Sequence, residues 1–143
     1  MQTSHYKRVM IIDDTYVDRY IAERNLIKYG FAEEVVAKES AKGALEYLAA
    51  IAVTPDQLPE LIFLDIRMPD LDGFGFLEEY AKLAEAVKSN CVVMMLSTSL
   101  NQGDHDKASE NKYVSRFLNK PLDREKIETL AKEPKEESYR KAS

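Results

Sequence analysis

The sequence predicts an α/β fold: a doubly wound, five-stranded parallel sheet with strand order 2-1-3-4-5. Apolar runs without polar alternation, such as Leu61–Leu64, are typical of strands covered by helices on both faces. Five strand-like runs alternate with segments of helical periodicity, and each connection is long enough for a parallel βαβ unit. In the predicted strand order, the first and third strands are neighbours at the point where the chain reverses direction across the sheet.

The elements before the central strand follow from apolar runs, helical spacing and turn residues. Each strand run is short, and each helix shows one apolar stripe. In chain order we predict a strand over Arg8–Asp14, a helix over Thr15–Tyr29 that stops at Gly30, an edge strand over Glu34–Lys38, a helix whose buried face is Ala41, Ala44, Leu45 and Leu48, and a surface loop over Ala49–Glu60.

The second half repeats the same alternation from the central strand onward. One segment differs, because it is polar almost throughout and predicts only a short, loosely held helix. In chain order we predict a strand over Leu61–Asp65, a helix burying Leu77, Tyr80, Ala81 and Ala84, a strand over Cys91–Leu96 that ends at Ser97, the polar helix within Asn101–Lys112, a strand over Ser115–Pro121, and a helix capped by Asp123 that buries Ile127, Leu130 and Ala131.

Composition narrows the class of protein. A chain of 143 residues suits one domain, and we assign residues 1–6 to an N-terminal extension, 7–131 to the domain and 132–143 to a polar tail or an extension of the last helix. The net charge of −5 disfavours a nucleic-acid-binding surface. A single cysteine, Cys91, predicts a buried thiol rather than a disulfide or zinc site. Without an apolar membrane span or signal segment, we expect a cytoplasmic protein.

Three acids follow two of the predicted strands at the carboxyl edge of the sheet. Asp13 and Asp14 end the first strand and Asp65 ends the third, so the predicted strand order brings them into one cleft. Crowded carboxylates repel each other and are costly to bury without a partner. A hard divalent cation, Mg²⁺ or Mn²⁺ rather than zinc, would resolve that conflict. The alternative is three separate, solvated acids at the starts of loops.

Two further polar residues reach the same edge of the sheet. Ser97 ends the fourth strand and Lys120 ends the fifth. Lys120 could be a simple counter-ion and Ser97 a simple helix cap. Together with a metal and an acid cluster, however, an ammonium and a hydroxyl make a site for a phosphoryl group that an aspartate oxygen attacks in line.

The set Asp13-Asp14, Asp65 with Met68-Pro69 and Gly73, Ser97, and Lys120-Pro121 resembles the receiver domain of bacterial two-component response regulators. The resemblance covers roughly residues 7–131 and is nearest to the single-domain, chemotaxis-type receivers. The flavodoxin-like strand order given above is partly taken from this family. It implies that Asp65 is the phosphoacceptor, modified by a sensor histidine kinase or a histidine phosphotransfer protein. A phosphoryl group adds negative charge and strong hydrogen-bond acceptors, which can bias a two-state loop.

The resemblance also implies a role for each neighbouring residue. Asp14, Asp65 and the backbone carbonyl of Arg67 would bind Mg²⁺, with Asp13 acting mainly through water. Lys120 would pair with the phosphoryl oxygens. The Ser97 hydroxyl would bond one of them, and Phe117 would be the aromatic residue that turns inward when Ser97 moves.

The sequence departs from the commoner family pattern at positions that affect lifetime and switching. Ser97 replaces the commoner threonine but keeps the hydroxyl. Arg67 and Ser99 occupy the two variable positions that tune hydrolysis of the acyl phosphate in the family. Arg67 could shield the phosphoryl group, and Ser99 has no carboxylate or amide to orient water. We therefore expect slow self-dephosphorylation.

Because few residues follow the last predicted helix, we expect a single-domain regulator that acts through protein contacts, as a signal, relay or phosphate sink, and not an enzyme. In the family, the first helix is the usual kinase-docking surface and the face with residues 101–112 and Phe117 the usual signalling surface. One alternative is an adaptor that works without phosphorylation. A haloacid-dehalogenase-type phosphatase, suggested by Asp70–Gly73, lacks the expected following threonine, and a calcium loop lacks its glutamate. We expect both histidines, His5 and His105, to be solvated.

Overall fold

A computed structural model of the chain describes residues 5–98 and 101–133. Its centre is a five-stranded sheet in which all neighbouring strands are parallel and the order is β2-β1-β3-β4-β5, as predicted. β2 is therefore an edge strand, as its weaker apolar character indicated. The strands are β1 (Tyr6–Ile12), β2 (Ala32–Lys38), β3 (Leu61–Asp65), β4 (Val92–Ser97) and β5 (Val114–Asn119).

The connections between the strands carry the helices. Within the described ranges they are α1 (Tyr16–Lys28), α2 (Ala41–Ala50), a 3₁₀ turn (Pro55–Gln57), α3 (Gly73–Tyr80), α4 (Glu85–Lys88), α5 (Gln102–Ser109) and, after β5, α6 (Arg124–Lys132). None of the helices in this part of the chain has the length and apolar character needed to cross a membrane. Most of the predicted tail, from residue 134 onward, and residues 1–4 lie outside the described residues.

The sheet separates two apolar cores, one on each of its faces. Every residue of β3 and β4 is buried, which explains why neither sequence run alternates with polar residues. Ile62 and Leu64 pack into the core beneath α2 and α3, whereas Leu61 and Phe63 pack into the core beneath α1 and α6. Cys91, just before β4, is buried as predicted. The sheet is thus held rigidly from both faces, which fixes its carboxyl edge.

Strands β1 and β2 both begin earlier than the sequence indicated. Tyr6 is buried and pairs with Ala32, so β1 and β2 each start two residues before the predicted boundary. His5 is half-buried, with its ring stacked 5.4 Å from that of Phe31. The prediction of a solvated His5 is therefore wrong, because an aromatic cluster forms at this end of the sheet. His105 is exposed, as predicted.

Three alanines that were predicted to be buried are exposed. The helix expected to run through Ala84 ends at Tyr80, and the short helix α4 buries Val87 instead. Ala81 and Ala84 consequently cap helices at the surface, and Ala131 lies beside the buried stripe of α6. An alanine side chain has little apolar area, so burying it contributes little free energy. An alanine in an apolar pattern therefore does little to determine which face of the helix is buried.

The polar helix α5 matches its prediction. Within Gln102–Ser109, Ala108 alone is buried. The helix starts at Asn101, whose side chain accepts a hydrogen bond from the Asp104 backbone N–H at 3.2 Å. Asp123 likewise caps α6, accepting from the Lys126 N–H at 3.0 Å, as predicted. Local capping residues thus define both helix starts near the carboxyl edge of the sheet.

Candidate functional site

The predicted convergence of the three acids is present in the structure. β1 and β3 pair with Ile12 opposite Leu64, so the residues that follow, Asp13 and Asp65, leave the sheet side by side. Carboxylate oxygens of Asp13, Asp14 and Asp65 all lie within 4.8 Å of one another. Parallel strands deliver their final side chains to one edge, and this register places the two acid positions at the same level.

The three acids differ in how much they are exposed to solvent. Asp13 and Asp65 are 3% and 5% exposed, whereas Asp14 faces solvent. Burial, and next the charge of Asp13, raise the pKa of Asp65 to about 6, although Lys120 opposes the shift. Asp13 is fixed by the Thr15 backbone N–H, which donates to its Oδ1 at 2.9 Å. The site therefore holds its acids at an energetic cost that a bound cation would remove.

Lys120 lies among these acids. Its Nζ is 2.7 Å from Oδ2 of Asp13, 3.4 Å from Oδ1 of Asp65 and 3.0 Å from Oδ2 of Asp18. Burial alone would lower the pKa of Lys120, but its bonds to Asp13 and Asp18 and the charge of Asp65 outweigh burial, so the pKa is raised. The ammonium is permanently charged at neutral pH and sits where it could meet a phosphoryl group on Asp65.

Ser97 lies at the end of β4, the strand between β3, which ends in Asp65, and β5, which Lys120 follows. It is 1% exposed, and its carbonyl oxygen accepts the Lys120 backbone N–H at 2.9 Å. This bond continues the pairing of β4 with β5, in which Ser97 lies opposite Asn119. The structure thus brings Asp13, Asp14, Asp65, Ser97 and Lys120 together, as the sequence predicted.

The donor set fits a hard divalent cation. The acid groups in the described residues that could hold a metal are Asp13, Asp14 and Asp65, and all offer oxygen ligands. Three carboxylates against one ammonium leave two negative charges. An all-carboxylate donor set does not favour zinc, which prefers nitrogen and sulfur ligands.

The loop after β3 passes close to the acids and leaves no room for a side chain at Gly73. A Cβ at this position would lie 2.7 Å from the carbonyl oxygen of Asp65 and 2.9 Å from Cε of Met95. The Gly73 N–H donates to the carbonyl of Ile66 at 2.8 Å, closing the loop. Asp72 accepts from the Gly75 N–H at 2.8 Å, so its carboxylate caps α3.

Gly73→Ala is expected to lower the free energy of unfolding by about 1–3 kcal/mol, because a backbone oxygen cannot yield as a side chain can. Urea unfolding measures the change. Gly43→Ala is the matched control, since its Cβ would meet only the Ser40 hydroxyl, at 3.1 Å. The control should be neutral or gain up to about 1 kcal/mol from helix propensity. Equal stabilities for the two variants would contradict the close approach at Gly73.

Two predicted site residues lie farther from the acids, and a third lies outside the described residues. The side chain of Arg67 is 60% exposed and forms an ion pair with Asp104 at the start of α5. Phe117 is half-buried against the core beneath α2 and α3, and the edge of the His105 ring contacts it, with centroids 5.1 Å apart. Ser99 falls in the gap at 99–100, so its role stays a prediction, as does the metal contact of the Arg67 carbonyl.

Asp18 and Asp104 were not among the site residues predicted from the sequence. Asp18 lies in the first turn of α1 and reaches Lys120, which is 102 residues away in sequence. A weak signal existed: helices that follow a strand begin at the carboxyl edge, so an acid in the first turn starts near the site. Asp104 gave no comparable signal, because it lies in a uniformly polar segment.

Comparison with known proteins decides the family. A family model described as the response regulator receiver domain matches residues 9–132. The chain belongs to the response regulator receiver domain family. Receiver domains of this family accept a phosphoryl group on an aspartate in two-component signalling and bind Mg²⁺ through acidic residues.

Individual relatives agree with the receiver family. The chain is 35% identical over 127 residues to the protein PilG of Pseudomonas aeruginosa, covering 88% of this chain and 85% of PilG. It is 28% identical to the two-component response regulator ORR1 of Oryza sativa subsp. indica. That match covers 87% of this chain but only 54% of ORR1.

Solved structures give the same architecture. A response regulator receiver protein from Dyadobacter fermentans superimposes with a TM-score of 0.77 at 30% identity, covering 88% of this chain and 95% of that one. The receiver domain of the histidine kinase CKI1 from Arabidopsis thaliana, complexed with Mg²⁺, shares the fold with a TM-score of 0.74 at 22% identity, covering 89% and 92%.

Proposed function

We propose that this receiver accepts a phosphoryl group on Asp65, in a Mg²⁺-dependent reaction, from the phosphohistidine of a sensor histidine kinase or a histidine phosphotransfer protein. The observation that supports it best is the convergence of Asp65 with two further acids and the Lys120 ammonium at one edge of the sheet. We assign the receiver unit to residues 7–131. The protein would act in the cytoplasm through contacts with a downstream protein, and neither nucleic acid nor membrane is among the proposed partners.

The residues divide the chemistry between them. An Oδ of Asp65 attacks phosphorus in line, forming an O–P bond while the P–N bond of the donor breaks and its electron pair returns to the imidazole. Lys120 neutralises charge on the phosphoryl oxygens from its position beside Asp65. Asp14, Asp65 and the Arg67 carbonyl would hold Mg²⁺, with Asp13 acting through water. When bound, the ion supplies positive charge to the transferring group.

The same residues supply a switch. The hydroxyl of Ser97, at the end of β4, would bond a phosphoryl oxygen and draw its loop toward Asp65. Phe117 is only half-buried, so turning inward when that loop moves would bury more of its ring. The altered surface would include α5, which is polar and held by one buried side chain, Ala108. This surface is the proposed contact for the downstream target.

Helix α1 is the proposed docking surface for the phosphodonor. It begins beside the acids, and its large apolar side chains are unusually exposed. They are Tyr16, Val17, Tyr20, Ile21 and Ile27. An exposed apolar face of this kind is typical of a protein-binding surface. A partner held there would place its phosphohistidine at the carboxyl edge of the sheet.

Phosphorylation by acetyl phosphate tests the proposal. The wild-type protein should gain one phosphoryl group in Mg²⁺ and none in EDTA, as followed by intact mass, with the modification mapped to Asp65 after peptide digestion. Asp65→Asn should remain unmodified, whereas the control Asp56→Asn, an exposed acid away from the site, should react as the wild type does. A modification that persists in Asp65→Asn would refute the assignment.

Asp14→Asn is expected to weaken Mg²⁺ binding about tenfold or more, because ligand charge sets the affinity of such sites. The exposed position of Asp14 means that the substitution should not disturb the fold. Isothermal titration calorimetry measures the Kd for Mg²⁺, with Asp56→Asn again as the control. An unchanged Kd would remove Asp14 from the ligand set.

The acyl phosphate is expected to persist for minutes or longer, since Arg67, two residues after Asp65, could shield the phosphoryl group and Ser99 offers no group to orient water. Arg67→Ala should shorten the half-life, measured by loss of the phosphoryl mass after donor removal. Arg124→Ala, which removes an exposed arginine with a surface ion pair to Glu128, is the control. A wild-type half-life of seconds would contradict the expectation.

A further inference from the structure

Lys120 contacts one carboxylate more than the proposed chemistry needs. Asp13 and Asp65 leave the ends of two strands, but Asp18 belongs to the first turn of α1. The Nζ–Oδ2 distance to Asp18, 3.0 Å, is that of a direct hydrogen bond and is shorter than the 3.4 Å to Asp65. The ammonium is thus bonded to a helix on one side and to the sheet edge on the other.

Asp18 stands apart from the acids that could bind a metal. In residues 5–98 and 101–133, the metal-compatible group consists of Asp13, Asp14 and Asp65 and does not include Asp18. An acid in the first turn favours the helix dipole, but the dipole does not account for the bond that Asp18 makes to Lys120. That bond is partly shielded from water, since the Lys120 side chain is 11% exposed and that of Asp18 39%.

Space beside the ammonium makes its position adjustable. A small cleft of about 30 Å³, enough for about one water molecule, is lined by Asp13, Asp18 and Lys120 among apolar neighbours. The ammonium is therefore not fixed by close packing on that side. Its place is decided by the balance of its three carboxylate partners, and Asp18 is the one that draws it away from the metal-binding acids.

We propose that Asp18 is a positioning residue that holds the Lys120 ammonium beside Asp65 without letting it close onto the Asp65 carboxylate. The proposal rests on the proposed function. Without Asp18, Nζ, which already lies 2.7 Å from Asp13, closes its 3.4 Å distance to Asp65, where it competes with Mg²⁺ and covers the oxygen that attacks phosphorus. With Asp18 in place, Lys120 stays within reach of the incoming phosphoryl oxygens while the Asp65 carboxylate remains available to the cation.

Asp18→Asn tests the proposal by removing the charge while keeping the shape. We expect the Kd for Mg²⁺ to rise about threefold to tenfold in calorimetry. We also expect the rate constant of phosphorylation by acetyl phosphate, at saturating Mg²⁺ and donor, to fall about tenfold, the scale of one misplaced electrostatic group. Asp18→Glu, which restores the charge, should recover at least part of both losses. A purely structural role would not produce this charge-dependent recovery.

Glu23→Gln is the matched control, because it removes the same charge from the same helix away from Lys120. Thermal unfolding of every variant establishes that the rates compare folded proteins. Wild-type Mg²⁺ binding and rate in Asp18→Asn would overturn the inference, as would losses that Asp18→Glu does not relieve. If the wild type itself is not phosphorylated on Asp65, the proposed function fails instead, so the two failures are distinguishable.

Discussion

Asp65→Asn is expected to raise the free energy of unfolding of the metal-free protein by about 3 kcal/mol at pH 7, from a pKa difference of about two units. The folded environment raises the pKa of Asp65 from 3.8 to about 6, through burial and then the charge of Asp13. Ionised Asp65 therefore destabilises the fold. An asparagine has no charge to desolvate, and its amide can still accept from Lys120 and donate to Asp13.

The raised pKa of Asp65 also predicts how the stability difference between Asp65→Asn and the wild type changes with pH. Because the folded protein binds the Asp65 proton more tightly than the unfolded chain, wild-type stability from this group rises as pH falls from about 7 through 6 toward 4. Asp65→Asn lacks that contribution, so its advantage should shrink toward zero near pH 4. Urea unfolding in EDTA at several pH values measures the difference, and Asp56→Asn supplies the baseline for one lost carboxylate.

Added Mg²⁺ should narrow the same difference, since a ligand that binds only the folded state stabilises it. The wild type should gain more stability from the ion than Asp65→Asn, which has lost one charged ligand. An Asp65→Asn protein that is no more stable than Asp56→Asn in EDTA at pH 7 would mean that Lys120 already compensates the buried charge in full.

Lys120→Met is expected to destabilise the metal-free protein by about 3–5 kcal/mol, the usual cost of removing one partner from a buried ion pair. Asp13 and Asp65 would remain buried, and the nearest cation would be gone. Methionine keeps much of the apolar stem, so the loss reports mainly on charge. Urea unfolding in EDTA measures it.

The double variant Asp65→Asn/Lys120→Met separates charge from packing. Because one of the two buried acids is then neutral, the combined loss should be smaller than Lys120→Met alone, with a coupling of about 1–3 kcal/mol. Lys82→Met is the control: its side chain is 72% exposed and, within residues 5–98 and 101–133, pairs with the exposed Glu79, so its change should stay within about 0.5 kcal/mol. A loss of that size for Lys120→Met would refute the electrostatic account.

The acids of the site could be predicted from sequence because each directly follows an apolar run. A run that ends in Asp65 both marks a buried strand and states where its last side chain emerges, and the same reasoning holds for Asp13. The positions of Lys120 and Ser97 could be predicted in the same way, because each lies at the end of its own strand. Strand ends fix position along the sheet, so no knowledge of helix orientation is needed.

Contacts that depend on helix rotation or on surface loops could not be predicted in this way. Whether Asp18 points at Lys120 depends on how α1 turns against the sheet, and this is decided by the packing of Ala22 and Leu26. The pairing of Arg67 with Asp104 joins a loop to a polar helix that has no apolar stripe to orient it. The early end of α3 was hidden because Ala81 and Ala84 extend its apolar spacing without contributing burial.

The partners of the bond between Asp18 and Lys120 are far apart in the sequence, and this separation determines when the site can be completed during synthesis. The carboxylate leaves the ribosome 102 residues before its ammonium, a delay of about 5–20 s at translation rates of about 5–20 residues per second. Until β5 has emerged, the nascent chain carries four neighbouring acids without their lysine. The cation that pairs with these acids is therefore present only after the last strand has been made, so the site is completed late in synthesis.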